Sequence, residues 1–225
     1  YTHFAVADEP EEDGFTMRQV AAFETLAAEV RQKGLQVPLL HLANSAGILR
    51  HSYAHADAVR PGIMLYGSNP MNLRGPAPLK PVMTLRPRVL QVHEVQAGQT
   101  VSYGREWKAE RPARIATLGI GYADGLFRPL SGKIEMLVRG KRAPQVGRIC
   151  MDMTMLDVTG VPEAAEGDVV TVFGEDGGER ILAEEVAAAA GTISYEVFCA
   201  VAPRVARLYY QGGKLVDEVC YIEKL

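Results

Sequence analysis

Val37-Pro38-Leu39-Leu40-His41-Leu42-Ala43-Asn44-Ser45-Ala46-Gly47-Ile48-Leu49-Arg50 decides how the first third of this chain is read. The apolar run from Val37 to Ala43 reads as a buried strand, and Asn44-Ser45 is a side-chain cap for a short helix through Arg50. The same alternation appears on both sides. Upstream, Tyr1 to Ala7 is strand-like and leads through a loop rich in Asp and Glu into a helix from about Phe15 to Lys33. Met17, Val20, Ala21, Phe23, Leu26, Ala27 and Val30 give that helix an apolar face, and Gly34 suits its C-terminal cap. Downstream, a third strand is expected from about Ala58 to Tyr66. Strands alternating with helices imply parallel pairing, as in a barrel or a doubly wound sheet. Three strands cannot close a barrel, because an eight-stranded one usually needs about 250 residues.

The pattern changes near residue 70. Pro70, Pro76, Pro78 and Pro81 read as a linker. Beyond it come short apolar runs at Leu85 to Val95, Ala113 to Gly121, Ile134 to Val138, Ile149 to Val158 and Val169 to Phe173. Turn signals such as Arg139-Gly140-Lys141 and Asp176-Gly177-Gly178 separate them. One helix, Ala183 to Ala190, interrupts before Tyr195, and Gly212-Gly213 predicts a late hairpin. The chain thus divides into an α/β portion at 1–75 and a mainly antiparallel, all-β domain at 80–225.

Composition narrows the function classes. The 225 residues carry a net charge of −3 without a basic cluster, which argues against nucleic acid or an anionic membrane as partner. No apolar run approaches the roughly 20 residues needed to span a bilayer. Three cysteines, Cys150, Cys199 and Cys220, are odd in number and lack metal-site spacing, so reduced thiols and a cytoplasmic setting are expected. Residue 1 is Tyr and the chain opens directly in a strand-like run. We therefore expect the C-terminal part of a longer protein.

Three segments carry chemistry on their own terms. Gly119-Ile120-Gly121-Tyr122-Ala123-Asp124-Gly125 sets a tyrosine between glycines at the end of an apolar strand, so the phenol is presented rather than packed. A phenol titrates near pH ~10 in water, and a neighbouring cation lowers that value toward the range of a proton shuttle. Asn44-Ser45 stands at a helix start after a strand, where backbone N–H groups and the helix dipole favour an anionic phosphate. Gly62-Ile63 offers a second pair of backbone donors. A plain helix cap at Ser45 and a half-buried turn tyrosine at Tyr122 are the simpler alternatives.

Five motifs in one order go further. Leu40 to Ala46, Val59 to Gly67, Gly119 to Gly125, Gly147-Arg148-Ile149-Cys150-Met151-Asp152 and Ile193-Ser194-Tyr195-Glu196 together resemble the alanine racemase family, which depends on pyridoxal 5'-phosphate (PLP). The resemblance runs from Tyr1 to about Tyr210. It implies the last three β/α units of a TIM-type barrel followed by a β domain. It also implies interconversion of L- and D-alanine, a peptidoglycan precursor, or racemisation of serine or other small amino acids on the same fold. A non-catalytic β-domain association module is the reading from another class.

Residue roles follow from the resemblance. Asn44, Ser45, Gly62, Ile63 and Tyr195 would hold the PLP phosphate. Arg60 would face the pyridine nitrogen; an arginine keeps its protons, so the ring nitrogen would stay unprotonated. His41 would hydrogen-bond Arg60, with a satisfied core histidine as the alternative. Tyr122 would be one of two bases, acting in the partner subunit's site across a homodimer. Met151 would bind the substrate carboxylate through its backbone, and Arg148 and Asp152 would line the mouth of the site or form a local ion pair. Seven lysines are present, Lys33, Lys80, Lys108, Lys133, Lys141, Lys214 and Lys224. None stands at the end of a buried strand, where burial could fit it for covalent chemistry with an aldehyde. The lysine that the family uses is expected in an N-terminal barrel portion missing here, which leaves this chain alone without activity.

Overall fold

The computed structural model describes residues 1–71 and 79–222; Pro76 and Pro78 of the expected linker lie outside them. Contacts divide the chain into two compact units, Tyr1–Val82 and Met83–Leu225. Among the described residues, no helix is long and apolar enough to cross a membrane.

In the first unit, helix α1 spans Asp13–Gln32 and helix α2 spans Ser45–Arg50. The buried stripe of α1 runs through Thr16, Val20 and Ala27, with Phe23 partly covered, which is one face at helical spacing. Met17 and Leu26, expected on that face, stand exposed. The stripe closes a small core with Phe4, Ala7, Leu42, Ala43, Ala46 and Ala54. Asn44 caps α2 as expected, its side chain accepting from Gly47 N at 3.0 Å.

The three expected strands are a different matter. The stretches 1–7, 37–43 and 58–66 form no ladder, and a single parallel bridge joins His41 to Ala58. The reason lies in where their carbonyls are used. Thr2, His41 and Leu42 give theirs to the Arg60 guanidinium, and Ala43 gives its carbonyl to the Arg60 amide at 2.9 Å. With Asp57 N donating to Leu40 O at 3.1 Å, two backbone bonds hold the second and third stretches together around that one bridge, while the Arg60 side chain takes the other carbonyls. The end of the third stretch, Ile63–Tyr66, is a 3-10 turn stopped by Gly67 in the left-handed region.

The second unit is antiparallel throughout its sheets, as the sequence predicts. Its strands are β1 (Val89–Val95), β2 (Thr100–Val101), β3 (Trp107–Lys108), β4 (Ala113–Leu118), β5 (Glu135–Val138), β6 (Lys141–Val146), β7 (Thr154–Asp157), β8 (Val170–Thr171), β9 (Gly174–Asp176), β10 (Glu179–Ile181), β11 (Arg207–Gln211) and β12 (Lys214–Val219). The main sheet has the order β1-β4-β7-β6-β5-β8. Bridges from Leu85 to Phe173 and from Arg88 to Val169 bring its two edges together, which leaves little edge exposed. Its core includes Leu118, Leu126, Met136, Leu137, Leu156 and Phe173.

Helix α3 is Ala183–Ala190, as expected, and helix α4 is Ser194–Ala200, which the sequence reading lacks. Strand β6 is also unexpected, although its turn was foreseen: Arg139 and Gly140 both have positive φ and fold β6 back onto β5. Only Thr154–Asp157 of the expected run 149–158 pairs as a strand. The residues before it form the turn that carries Cys150, Met151 and Asp152.

Candidate functional site

In the first unit, Arg60 is held from several sides. Its Nη1 donates to His41 O at 3.1 Å and lies 2.5 Å from His41 Nδ1. Its Nη2 donates to Thr2 O at 2.8 Å and Leu42 O at 3.1 Å. Tyr1 stacks on His41 with ring centres 5.2 Å apart, and the guanidinium lies 5.3 Å from the Tyr1 ring centre. Burial and then the Arg60 charge hold the His41 imidazole below its ordinary pKa. A neutral imidazole accepts at Nδ1, which is what a guanidinium needs from it. The hydrogen bond between His41 and Arg60 read from the sequence is therefore present. Among the described residues, the Arg60 Nε–H has no acceptor, so one planar donor is left for something else.

Ser45, Gly62 and Ile63 come together beside it in chain order. Ser45 is the first residue of α2 and is buried, and its Oγ accepts from Met64 N at 3.4 Å. A Cβ on Gly62 would stand 3.9 Å from that Oγ, so the missing side chain keeps open the space facing the hydroxyl. Among the described residues, the backbone N–H groups of Ser45, Gly62 and Ile63 donate to no acceptor. Backbone N–H groups left over beside a hydroxyl, at a glycine and a helix start, are donors of the kind that could hold a phosphate.

In the second unit, Tyr122 and Met151 are joined by backbone. Tyr122 N donates to Cys150 O and Ala123 N to Met151 O, both at 3.0 Å. Gly121 makes this approach possible: a Cβ there would lie 2.2 Å from Cys150 O and 2.3 Å from Met151 O. Asp124 folds the turn back, its Oδ2 accepting from Gly121 N at 2.9 Å. The other oxygen, Oδ1, accepts from Arg204 Nε at 2.6 Å, and Arg204 Nη2 donates to Asp152 Oδ1 at 2.6 Å. The two carboxylates raise the pKa of the Arg204 guanidinium, Asp124 most. Arg204 was not singled out from the sequence.

Arg148 and Asp152 do not pair with each other. Arg148 pairs with Glu106, and its guanidinium holds the Glu106 carboxyl below the usual carboxylate range. Arg148 also covers Gly104, where a Cβ would meet its Cζ at 2.9 Å. This brings in a phenol that the sequence reading missed. Tyr103 lies between Ser102 (φ 68) and Gly104 (φ 75), with Arg105 (φ 52) beyond. Ser102 and Arg105 are not glycines, so the turn is strained on both sides. It is pinned by Ser102 Oγ donating to Arg148 O at 2.6 Å. The turn leaves Tyr103 71% exposed, against 43% for Tyr122. Tyr195 stands in the first turn of α4 and is partly exposed. The six described lysines are all exposed.

Comparison with known families places the chain itself. Residues 1–70 match the family model for the alanine racemase N-terminal domain, and residues 82–209 match that for the C-terminal domain. The chain belongs to the alanine racemase family. It is 43% identical over 224 residues to alanine racemase 2 of Caldanaerobacter subterraneus, covering 99% of this chain and 58% of that protein. It is 47% identical over 215 residues to the alanine racemase of Desulfosudis oleivorans, covering 95% of this chain and 55% of that protein. The chain thus spans little more than half the length of these alanine racemases. Among solved structures, alanine racemase from Bacillus anthracis with bound L-Ala-P superposes with a TM-score of 0.90 at 39% identity, over 98% of this chain and 57% of that one. Alanine racemase from Bartonella henselae with covalently bound pyridoxal phosphate gives 0.78 at 34% identity, over 88% and 53%.

Proposed function

We propose that this chain is the C-terminal portion of a PLP-dependent amino-acid racemase that interconverts L- and D-alanine. Residues 1–75 would close the end of a TIM-type barrel and 80–225 would form its β domain. The observation that carries the reading is the pairing of two features in the first unit. One is a permanently protonated Arg60 fixed by neutral His41 and three carbonyls. The other is the donor cradle of Ser45, Gly62 and Ile63. The cradle suits the phosphate of PLP, with Asn44 holding α2 in place and the Tyr195 hydroxyl as a further contact. The free Nε–H of Arg60 suits the pyridine nitrogen, to which it donates without giving up a proton. When bound, PLP supplies the electron-withdrawing system that makes the substrate Cα proton removable.

Racemisation then needs a proton taken from one face of Cα and returned on the other, which two bases do most simply. The cofactor-binding lysine would be one of them, outside the seven lysines of this chain. The other is a phenol of the second unit, reaching the partner's site in a homodimer. The sequence gives this role to Tyr122. A second reading gives it to Tyr103, favoured by the strained turn at Ser102 and Arg105 and by its greater exposure. We assign the base to Tyr103, with Tyr122 beside the Met151 backbone that receives the substrate carboxylate. Arg148 and Asp152, each tied to its own partner, would line the mouth of the site.

Racemisation of L-alanine, followed by polarimetry with PLP in the complete enzyme, tests the function. Alanine turnover at least tenfold faster than serine turnover is expected. Comparable rates for both would favour a broad-specificity racemase, and no turnover of any amino acid would favour the non-catalytic module.

A further inference from the structure

We propose that Arg204 is a positioning residue of the racemase site, because its guanidinium spans Asp124 and Asp152 and thereby sets where Tyr122 and Met151 stand. The inference rests on the racemase reading above and deepens it.

Three separate segments of the second unit meet here. The first is 121–125, whose Gly121 lies against the carbonyls of Cys150 and Met151. The second is the turn 150–153. The third is α4 with the residues that follow it, 194–205, and the Ala200 O that ends the helix would be 2.4 Å from a Cβ on Gly125. Ala202 N adds a hydrogen bond to Asp124 O at 3.1 Å. Tyr122, Met151 and Tyr195 each hang on one of these segments. Among the described residues, Arg204 is the side chain that reaches carboxylates on the other two, at 2.6 Å each.

The two arms of the clasp differ. Asp152 is half-exposed, so its pair with Arg204 adds little to unfolding free energy, while Asp124 is largely buried and its pair also steadies the turn 121–125. Leu126, Ile149 and Leu156 are fully buried in the core of this unit. What the fork contributes is geometry. A guanidinium donates from Nε and Nη2 in one plane, so two carboxylates on two turns are fixed relative to each other. The Met151 backbone, which the reading assigns to the substrate carboxylate, is set by one of those turns.

The test uses the complete enzyme and the variants Arg204→Lys, Asp152→Asn and the double variant. A lysine keeps the charge and loses the fork. We expect Arg204→Lys to raise KM for L-alanine about tenfold with a smaller change in kcat, since displaced binding groups act on the bound geometry. The amides of Tyr122 and Ala123 should exchange with deuterium at least tenfold faster, while those of β4 and β7 keep their rates. Asp152→Asn should act in the same direction, and the double variant should be no worse than Arg204→Lys, as expected for two parts of one device. A lowered urea midpoint with KM and amide exchange unchanged would make Arg204 a prop of the fold and overturn the inference. Additive effects in the double variant would also overturn it. If Arg204→Lys does not fold, Asp152→Asn alone decides by the same two readouts. If the parent enzyme racemises no amino acid, the functional reading fails, and amide exchange at Tyr122 and Ala123 still decides whether Arg204 positions them.

Discussion

His41 shows how one residue links charge to stability. The folded chain resists protonating its imidazole, first through burial and then through the Arg60 charge. His51 is held down in the same way by burial and Arg50. Below the ordinary histidine value of 6.5, the unfolded chain takes up protons that the folded chain refuses. The stability these residues confer is therefore complete above that value and is lost as the pH falls toward the folded values. Urea midpoints measured at about pH 8 and about pH 5.5 should show a drop at the lower pH, smaller in His41→Gln than in the parent. An unchanged drop in that variant would show that folding leaves the titration of His41 unshifted. The link between His41 and Arg60 was legible from their places on neighbouring stretches. Arg204 was not, because it lies 80 residues from Asp124 and 52 from Asp152, with no periodicity to connect them. Tyr103 was missed for another reason. The positive φ at Ser102 and Arg105 falls on residues that give no turn signal.

At the scale of elements, the turn 121–125 is set by close approach. Gly121 has extended backbone, so its requirement for glycine is steric and comes from the carbonyls of Cys150 and Met151. Gly121→Ala should cost about 1–3 kcal/mol, the usual range for an inserted methyl in a packed place. It should also reduce turnover more than it reduces PLP affinity, because the phosphate donors lie elsewhere. Chemical unfolding together with PLP titration checks both, and weakened PLP binding with normal turnover would contradict the assignment. Element by element, the sequence was most readable where capping or turn chemistry is explicit. Asn44 announces α2, Arg139-Gly140 turns β5 into β6, and Gly212-Gly213 turns β11 into β12. Helix α4 was missed because Ile193, with no side-chain oxygen, stands at its cap and Val197 and Phe198 favour strands. The first-unit strands were overread because apolar runs signal burial, while a strand also needs a partner backbone.

At the scale of the whole molecule, two compact units match two family models, and each carries part of one proposed chemistry. In the proposed function the first would supply a phosphate cradle and a ring partner, and the second would supply phenols on turns fixed by Arg204 and by Ser102. The central claim is that a phenol of this chain is one of two bases acting on alanine Cα. Deuterium incorporation at Cα in D2O tests it most directly, with the complete enzyme and its Tyr103→Phe and Tyr122→Phe variants, starting separately from L- and D-alanine. Each direction asks a different base to take the first proton. Tyr103→Phe should keep PLP binding and lose exchange from one enantiomer by about 10²–10⁴-fold, the typical contribution of a general base, while exchange from the other is largely retained. Tyr122→Phe should slow both directions alike and by much less. Equal, near-parental exchange from both enantiomers in Tyr103→Phe, with a one-sided loss in Tyr122→Phe, would return the base to Tyr122. Near-parental exchange in both variants would contradict a phenolic base from this chain altogether.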